Sequence, residues 1–205
     1  MSDIAVFLGP SLPVAAARSV LDAVYLPPIK RGDLSQLGPE IRSIGIVDGE
    51  FYQSLAVSPK EILPLIERGI ALYGASSMGT LRAVELEPYG MIGVGRVFEA
   101  YRDGIVDAED EVALVYDRET YEPLSDPLIN IRFALEDAAN RGLITSSRAK
   151  EVLENVRKTW FPQRSFADVA RLCQEIAGMI SAGPPNQKAD DALLMLHTMR
   201  RSKNG

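Results

Sequence analysis

The chain has 205 residues, 46% hydrophobic and 24% charged, enough to bury a core and too apolar for a disordered chain. Its 22 basic against 28 acidic residues leave a net charge of −6, which argues against a nucleic-acid or anionic-membrane binder, since both need clustered cations. One cysteine, Cys173, excludes an internal disulfide and any CxxC site, and no apolar run nears the roughly 18 residues that span a bilayer. Met1-Ser2-Asp3 lacks the basic stretch that opens a signal peptide, so a cytoplasmic location with protein or small-molecule partners is expected.

Along the chain, residues 4–8 form a short apolar run halted by Gly9-Pro10, as a buried strand would be. An alanine-rich helical pattern over 14–24 follows, broken by Pro27-Pro28 and Gly32-Asp33. Residues 44–47 predict a second strand, closed by Asp48-Gly49. Ser58-Pro59-Lys60-Glu61 reads as a cap, a proline at the first helical position and a carboxylate three residues past the cap. That helix runs through Ile62, Leu65 and Ile66 to Gly69. Residues 70–73 predict a third strand, and after Gly74-Ala75-Ser76-Ser77-Met78-Gly79 a helix runs to Glu87, stopped by Pro88. Beyond Tyr121 the pattern turns helical over 130–141, 146–160, 165–181 and 189–201, with Gly183-Pro184-Pro185 as a linker.

Strands alternating with helices across short turns predict an α/β, Rossmann-like fold, a mostly parallel sheet with helices on both faces. The expected division is an α/β core over 1–120 and a helical C-terminal region over 121–205, packed on the core. Ligands of such sheets sit beyond the carboxyl ends of the strands, where the turns after residues 8, 47 and 73 lie.

The strongest chemical signal is the third of those turns. A nucleophile elbow needs small residues two before and two after the nucleophile, and Ala75 and Gly79 meet that need around Ser77. Amide groups of the following helix would favour a developing oxyanion there. The alternative is a tight connection in which Ser76 or Ser77 merely caps the helix. His197, the lone histidine, lies among Leu193, Leu194, Leu196 and Met199 and reads as a packed or surface residue, so a Ser-His-Asp triad is not expected. A lysine remains as activator. Lys60, beside Glu61, is the best placed by position, unless it is a solvated first-turn charge.

Asp48 belongs to the same sheet edge, to orient a lysine, bind a polar ligand or close a local turn. Arg82 and Glu85 are spaced to pair on one helix face. The acidic run Asp107, Glu109, Asp110 and Glu111 lacks metal-ligand spacing and reads as a solvated turn or a partner-facing surface. Neither a dinucleotide fingerprint nor a P-loop is present, and no metal or cofactor is expected.

Phe7-Leu8-Gly9-Pro10-Ser11-Leu12, Leu26-Pro27-Pro28, Arg31-Gly32-Asp33, Ile46-Val47-Asp48-Gly49-Glu50-Phe51 and Lys60-Glu61-Ile62-Leu63 occur in the order found in TfuA-like proteins. Residues 74–86, GASSMGTLRAVEL, are similar to that family's most distinctive segment, and Gly90-Met91, Gly93-Val94-Gly95 and Asp110-Glu111-Val112-Ala113 continue it. The resemblance is strong over about residues 4–116 and thinner beyond, at Ser125-Asp126-Pro127 with Arg132 and at Lys188 with Asp191-Ala192. Thr80 departs from an expected alanine, and Tyr116 from a histidine that many relatives carry.

The resemblance implies a partner of YcaO enzymes in backbone thioamidation of ribosomally made precursor peptides. Its implied role is to hydrolyse a thiocarboxylated ThiS-like sulfur carrier and release sulfide near the YcaO site, and a carrier tail implies a groove beside Ser77 lined by Gly9, Ser11, Asp48, Lys60 and Ser76. Ser77, Ser76 and Lys60 would act catalytically, with Gly9, Ser11, Asp48, Glu61, Gly74, Met78, Arg82 and Glu85 around the substrate. The competing readings are a non-catalytic adaptor that docks YcaO and recruits sulfurtransferases, and a small-molecule hydrolase unrelated to peptide maturation.

Overall fold

The computed structural model describes residues 2–52 and 54–204; Met1, the first residue of the start read above, lies outside them. Five strands, β1 (Ile4–Phe7), β2 (Val24–Leu26), β3 (Ser43–Ile46), β4 (Ala71–Gly74) and β5 (Ile92–Gly93), form one all-parallel sheet in the order β2-β1-β3-β4-β5. This is the doubly wound order whose switch point falls between β1 and β3. The expected Rossmann-like α/β fold is the one observed.

Side-chain alternation along the strands builds two cores. Ala5, Phe7, Ile44, Ile46 and Leu72 point to one face. There they meet Ile62 of α2 (Pro59–Glu67), Met78, Ala83 and Leu86 of α3 (Met78–Leu86) and Phe98 of α4 (Arg96–Arg102). Ile4, Val6, Leu8, Val47, Tyr73 and Ala75 point to the other face. They pack against Ala17 of α1 (Val14–Val20) and against Ala192, Met195, Leu196 and Met199 of the last helix, Gln187–Asn204. Gly45 makes that approach possible, because a Cβ there would lie 2.8 Å from Met195 Cε and 2.9 Å from Met199 Sδ.

Contacts divide the chain into two compact units, residues 2–107 with 188–204, and residues 108–187. The region expected as one helical half over 121–205 is thus shared between them, because the apolar stripe of the last helix is buried on the sheet. Two strands lay hidden in the sequence. The helical pattern over 14–24 stops at Val20, and Val24-Tyr25-Leu26 pairs with β1 instead; β5 has only two residues, too few to give a period.

The second unit holds α5 (Leu128–Asn140), α6 (Ser146–Arg157), α7 (Phe166–Leu172) and α8 (Ala177–Ser181). With these named, the last helix is α9. Leu128, Ile131, Leu135 and Ala138 make a helical stripe that packs on Val152, Val156, Val169 and Ile176. The acidic run is not uniformly solvated. Glu111 is fully buried, clasped by Arg132 through Nε at 2.9 Å and Nη2 at 2.6 Å and by Arg157, while Asp110 pairs with Arg164 at 2.8 Å. Arginines 21 and 46 residues further along the chain neutralise Glu111 and draw it inside. Among the described residues no helix is long and apolar enough to cross a membrane.

Candidate functional site at the carboxyl edge of the sheet

The turn between β4 and α3 is built by glycines. A Cβ on Gly79 would lie 1.7 Å from the Ile46 carbonyl oxygen, and one on Gly74 would lie 2.1 Å from the Gly79 carbonyl oxygen. Only bare backbone allows α3 to start this close to β3 and β4. The corner is strained at Ser76, whose φ of 66° is the left-handed region that non-glycine residues rarely occupy. Ser77, one residue on, is the N-cap of α3.

Both serines engage one residue, Lys188 near the start of α9. Ser76 Oγ donates to the Lys188 carbonyl oxygen at 2.6 Å, and Lys188 Nζ donates to Ser77 Oγ at 3.3 Å. All three are buried, with Ser76 0%, Ser77 2% and Lys188 1% exposed. Burial lowers the Lys188 pKa from 10.5 to about 8, with the Asp48 carboxylate acting in the opposite sense. A lysine in that range exchanges protons near neutral pH.

Asp48, also buried, sits at the switch point. Its Oδ2 accepts the amides of Gly9 at 2.9 Å and Ser11 at 3.0 Å, and its Oδ1 accepts the Ser11 hydroxyl at 2.6 Å. The turn after β1, where a phosphate would lodge in many folds of this order, is thus filled by the chain's own carboxylate. A side chain at Gly9 would also collide with Pro28, 2.5 Å from the position of its Cβ.

Asp191 holds α9 in place. It lies three residues after Lys188, on the same helix face. Its carboxylate accepts the amides of Arg96 at 3.1 Å and Val97 at 2.7 Å, capping α4. Gly95, with φ of 99°, leaves the room, since a Cβ there would lie 2.3 Å from the Asp191 carboxyl carbon.

The structure therefore brings together Gly9, Ser11, Asp48, Ser76 and Ser77 from the expected groove, with Gly74 behind the turn, and sets Lys188 rather than Lys60 beside Ser77. Lys60 is exposed on α2 and lines a separate cavity of about 410 Å³ with Leu34, Ile41, Glu61 and Arg68. Glu61 is a structural anchor. Burial opposes its charge, but bonds from the Gly32 amide, the Ser58 amide and the Ser58 hydroxyl hold its carboxyl below the usual range. Arg82 pairs with a largely exposed Glu85 at 2.9 Å, and Met78 packs in the core, its side chain against Gly49. His197 is partly exposed beside Arg200.

The expected free amides of α3 are partly spent. Gly79 N–H donates to Val47 O at 3.2 Å and Thr80 N–H to Ser77 O at 2.9 Å. Lys188 lies 111 residues from Ser77 in the chain, and the sequence singled it out only in the thinner part of the family resemblance, with Asp191-Ala192.

The family model for TfuA-like proteins matches residues 48–165, more than half of the chain and parts of both compact units. A search of curated proteins finds no match to this chain.

Proposed function

The chain belongs to the TfuA-like protein family, and on that premise we propose that it serves YcaO-dependent peptide thioamidation by hydrolysing a thiocarboxylated ThiS-like sulfur carrier. The observation that carries this reading is the buried Lys188 amine 3.3 Å from Ser77 Oγ, with a pKa of about 8. A serine paired with such a lysine is equipped for acyl transfer.

In this scheme Ser77 Oγ attacks the carbonyl carbon of the thiocarboxylate, and its proton passes to Lys188 Nζ. Collapse of the adduct breaks the C–S bond, and the departing sulfur takes that proton and leaves as hydrosulfide. Water then cleaves the acyl-serine ester, so that thiocarboxylate and water yield carboxylate, hydrosulfide and a proton. The Met78 amide, following the nucleophile, is the position such sites use to hold the oxyanion. Asp48 tethers the loop after β1 and holds negative charge near the lysine. Ser76 and Asp191 anchor the backbone that carries it.

The burial of both serine hydroxyls favours a second reading, an adaptor that docks YcaO and recruits sulfurtransferases without chemistry of its own. One assay separates the two. The purified protein is incubated with a thiocarboxylated carrier in the absence of YcaO, and sulfide is measured. Hydrolysis predicts sulfide from the wild type and a loss on the order of a thousandfold in Ser77→Ala with its melting temperature kept. No sulfide from the wild type leaves the adaptor.

A further inference from the structure

Thr80 stands on the first turn of α3, fully buried, and its Oγ1 has no hydrogen-bond partner among the described residues. A threonine within a helix ordinarily returns its hydroxyl to the carbonyl three or four residues back. Here those carbonyls belong to Ser76 and Ser77, and the Ser77 oxygen instead accepts the amides of Thr80 at 2.9 Å and Leu81 at 3.3 Å. A buried hydroxyl without a partner is unfavourable in the empty protein and becomes favourable once a ligand accepts from it. Its position says which ligand. Thr80 lies three residues after Ser77, on the same side of the helix. Helical side chains lean toward the N-terminus, which here is the Ser77 end. The nine-residue helix adds a partial positive charge at that end.

We propose that the Thr80 hydroxyl is a substrate donor of this site, giving its hydrogen bond to the negative oxygen or sulfur that develops when Ser77 attacks. The proposal rests on the serine–lysine reading. The proton of Thr80 stays on its oxygen throughout; the bond made and broken at the substrate carbon are those to Ser77 Oγ and to sulfur. With Ser77 only 2% exposed, an unbranched tail suits the site, so the probe is a peptide ending in a glycine thiocarboxylate.

For Thr80→Val, sulfide release is expected to fall on the order of a hundredfold in kcat, with little change in KM. Its melting temperature stays or rises, because the orphaned hydroxyl is gone. Thr80→Ser should keep kcat within about threefold of the wild type, and it carries the test if the valine variant fails to fold. A valine variant that turns over like the wild type, or a serine variant as slow as valine, overturns the proposal. Should the wild type release no sulfide, the hydrolase reading fails. Thr80 is then judged by calorimetric binding of the same peptide ending in a carboxylate. About tenfold weaker binding by Thr80→Val retains it as a ligand donor, and equal binding removes it.

Discussion

The buried amine of Lys188 makes a quantitative demand on stability. A lysine whose folded pKa lies below its unfolded value binds fewer protons in the native state, so stability rises with pH across the interval between the two. For Lys188 the interval runs from about 8 to 10.5. The gap corresponds to about 3 kcal/mol of destabilisation well below pH 8, and with the side chain fully buried no solvent screening reduces it. Lys188→Met keeps the unbranched shape without the charge, and Asp48 keeps its bonds from Gly9 and Ser11. The variant should therefore be more stable than the wild type at pH 7, by up to about 3 kcal/mol. Between pH 7 and 9.5 the wild type should recover about 2 kcal/mol of that difference as the amine loses its proton. Urea unfolding of both proteins across this range, followed by circular dichroism, measures it, since all other titrating groups cancel in the comparison. Parallel stability curves would refute the assignment of a buried, ionisable lysine. In the same variant sulfide release should be lost, and in the wild type it should rise with an apparent pKa near 8.

Gly79→Ala drives a Cβ against the Ile46 carbonyl, and backbone cannot swing aside; a loss above about 4 kcal/mol or failure to fold is expected in thermal melts. A mild loss would show that α3 can lift from the sheet. In the second unit, Glu111→Gln leaves Arg132 facing a neutral group inside the protein, and should cost about 3–5 kcal/mol by urea unfolding. A change below about 1 kcal/mol would mean the carboxylate is not the anchor of that unit. Asp191→Ala strips the cap from α4 and should cost about 1–2 kcal/mol, with Asp191→Asn recovering part of it. If sulfide release in the alanine variant equals that of the wild type, the hold of Asp191 on α9 has no bearing on Lys188.

The amino-acid sequence by itself determined what short-range physics controls. Apolar runs ended by glycine or aspartate made β1, β3 and β4 legible, and Ser58 with Glu61 marked the start of α2 through a capping box that the structure contains. The glycine spacing of 74–79 announced a crowded turn, and Asp48 could be placed on the ligand edge because it follows a buried strand. The tertiary structure decided everything that depends on which distant side chains meet. Lys60 and Lys188 are both lysines near a helix start; one points to water and the other is sealed beside Ser77, because α9 returns from the far end of the chain to cover the sheet. Glu111 likewise looks solvated among its acidic neighbours until two arginines fold over it. Charge and proton affinity follow burial and pairing, and neither is written into local sequence.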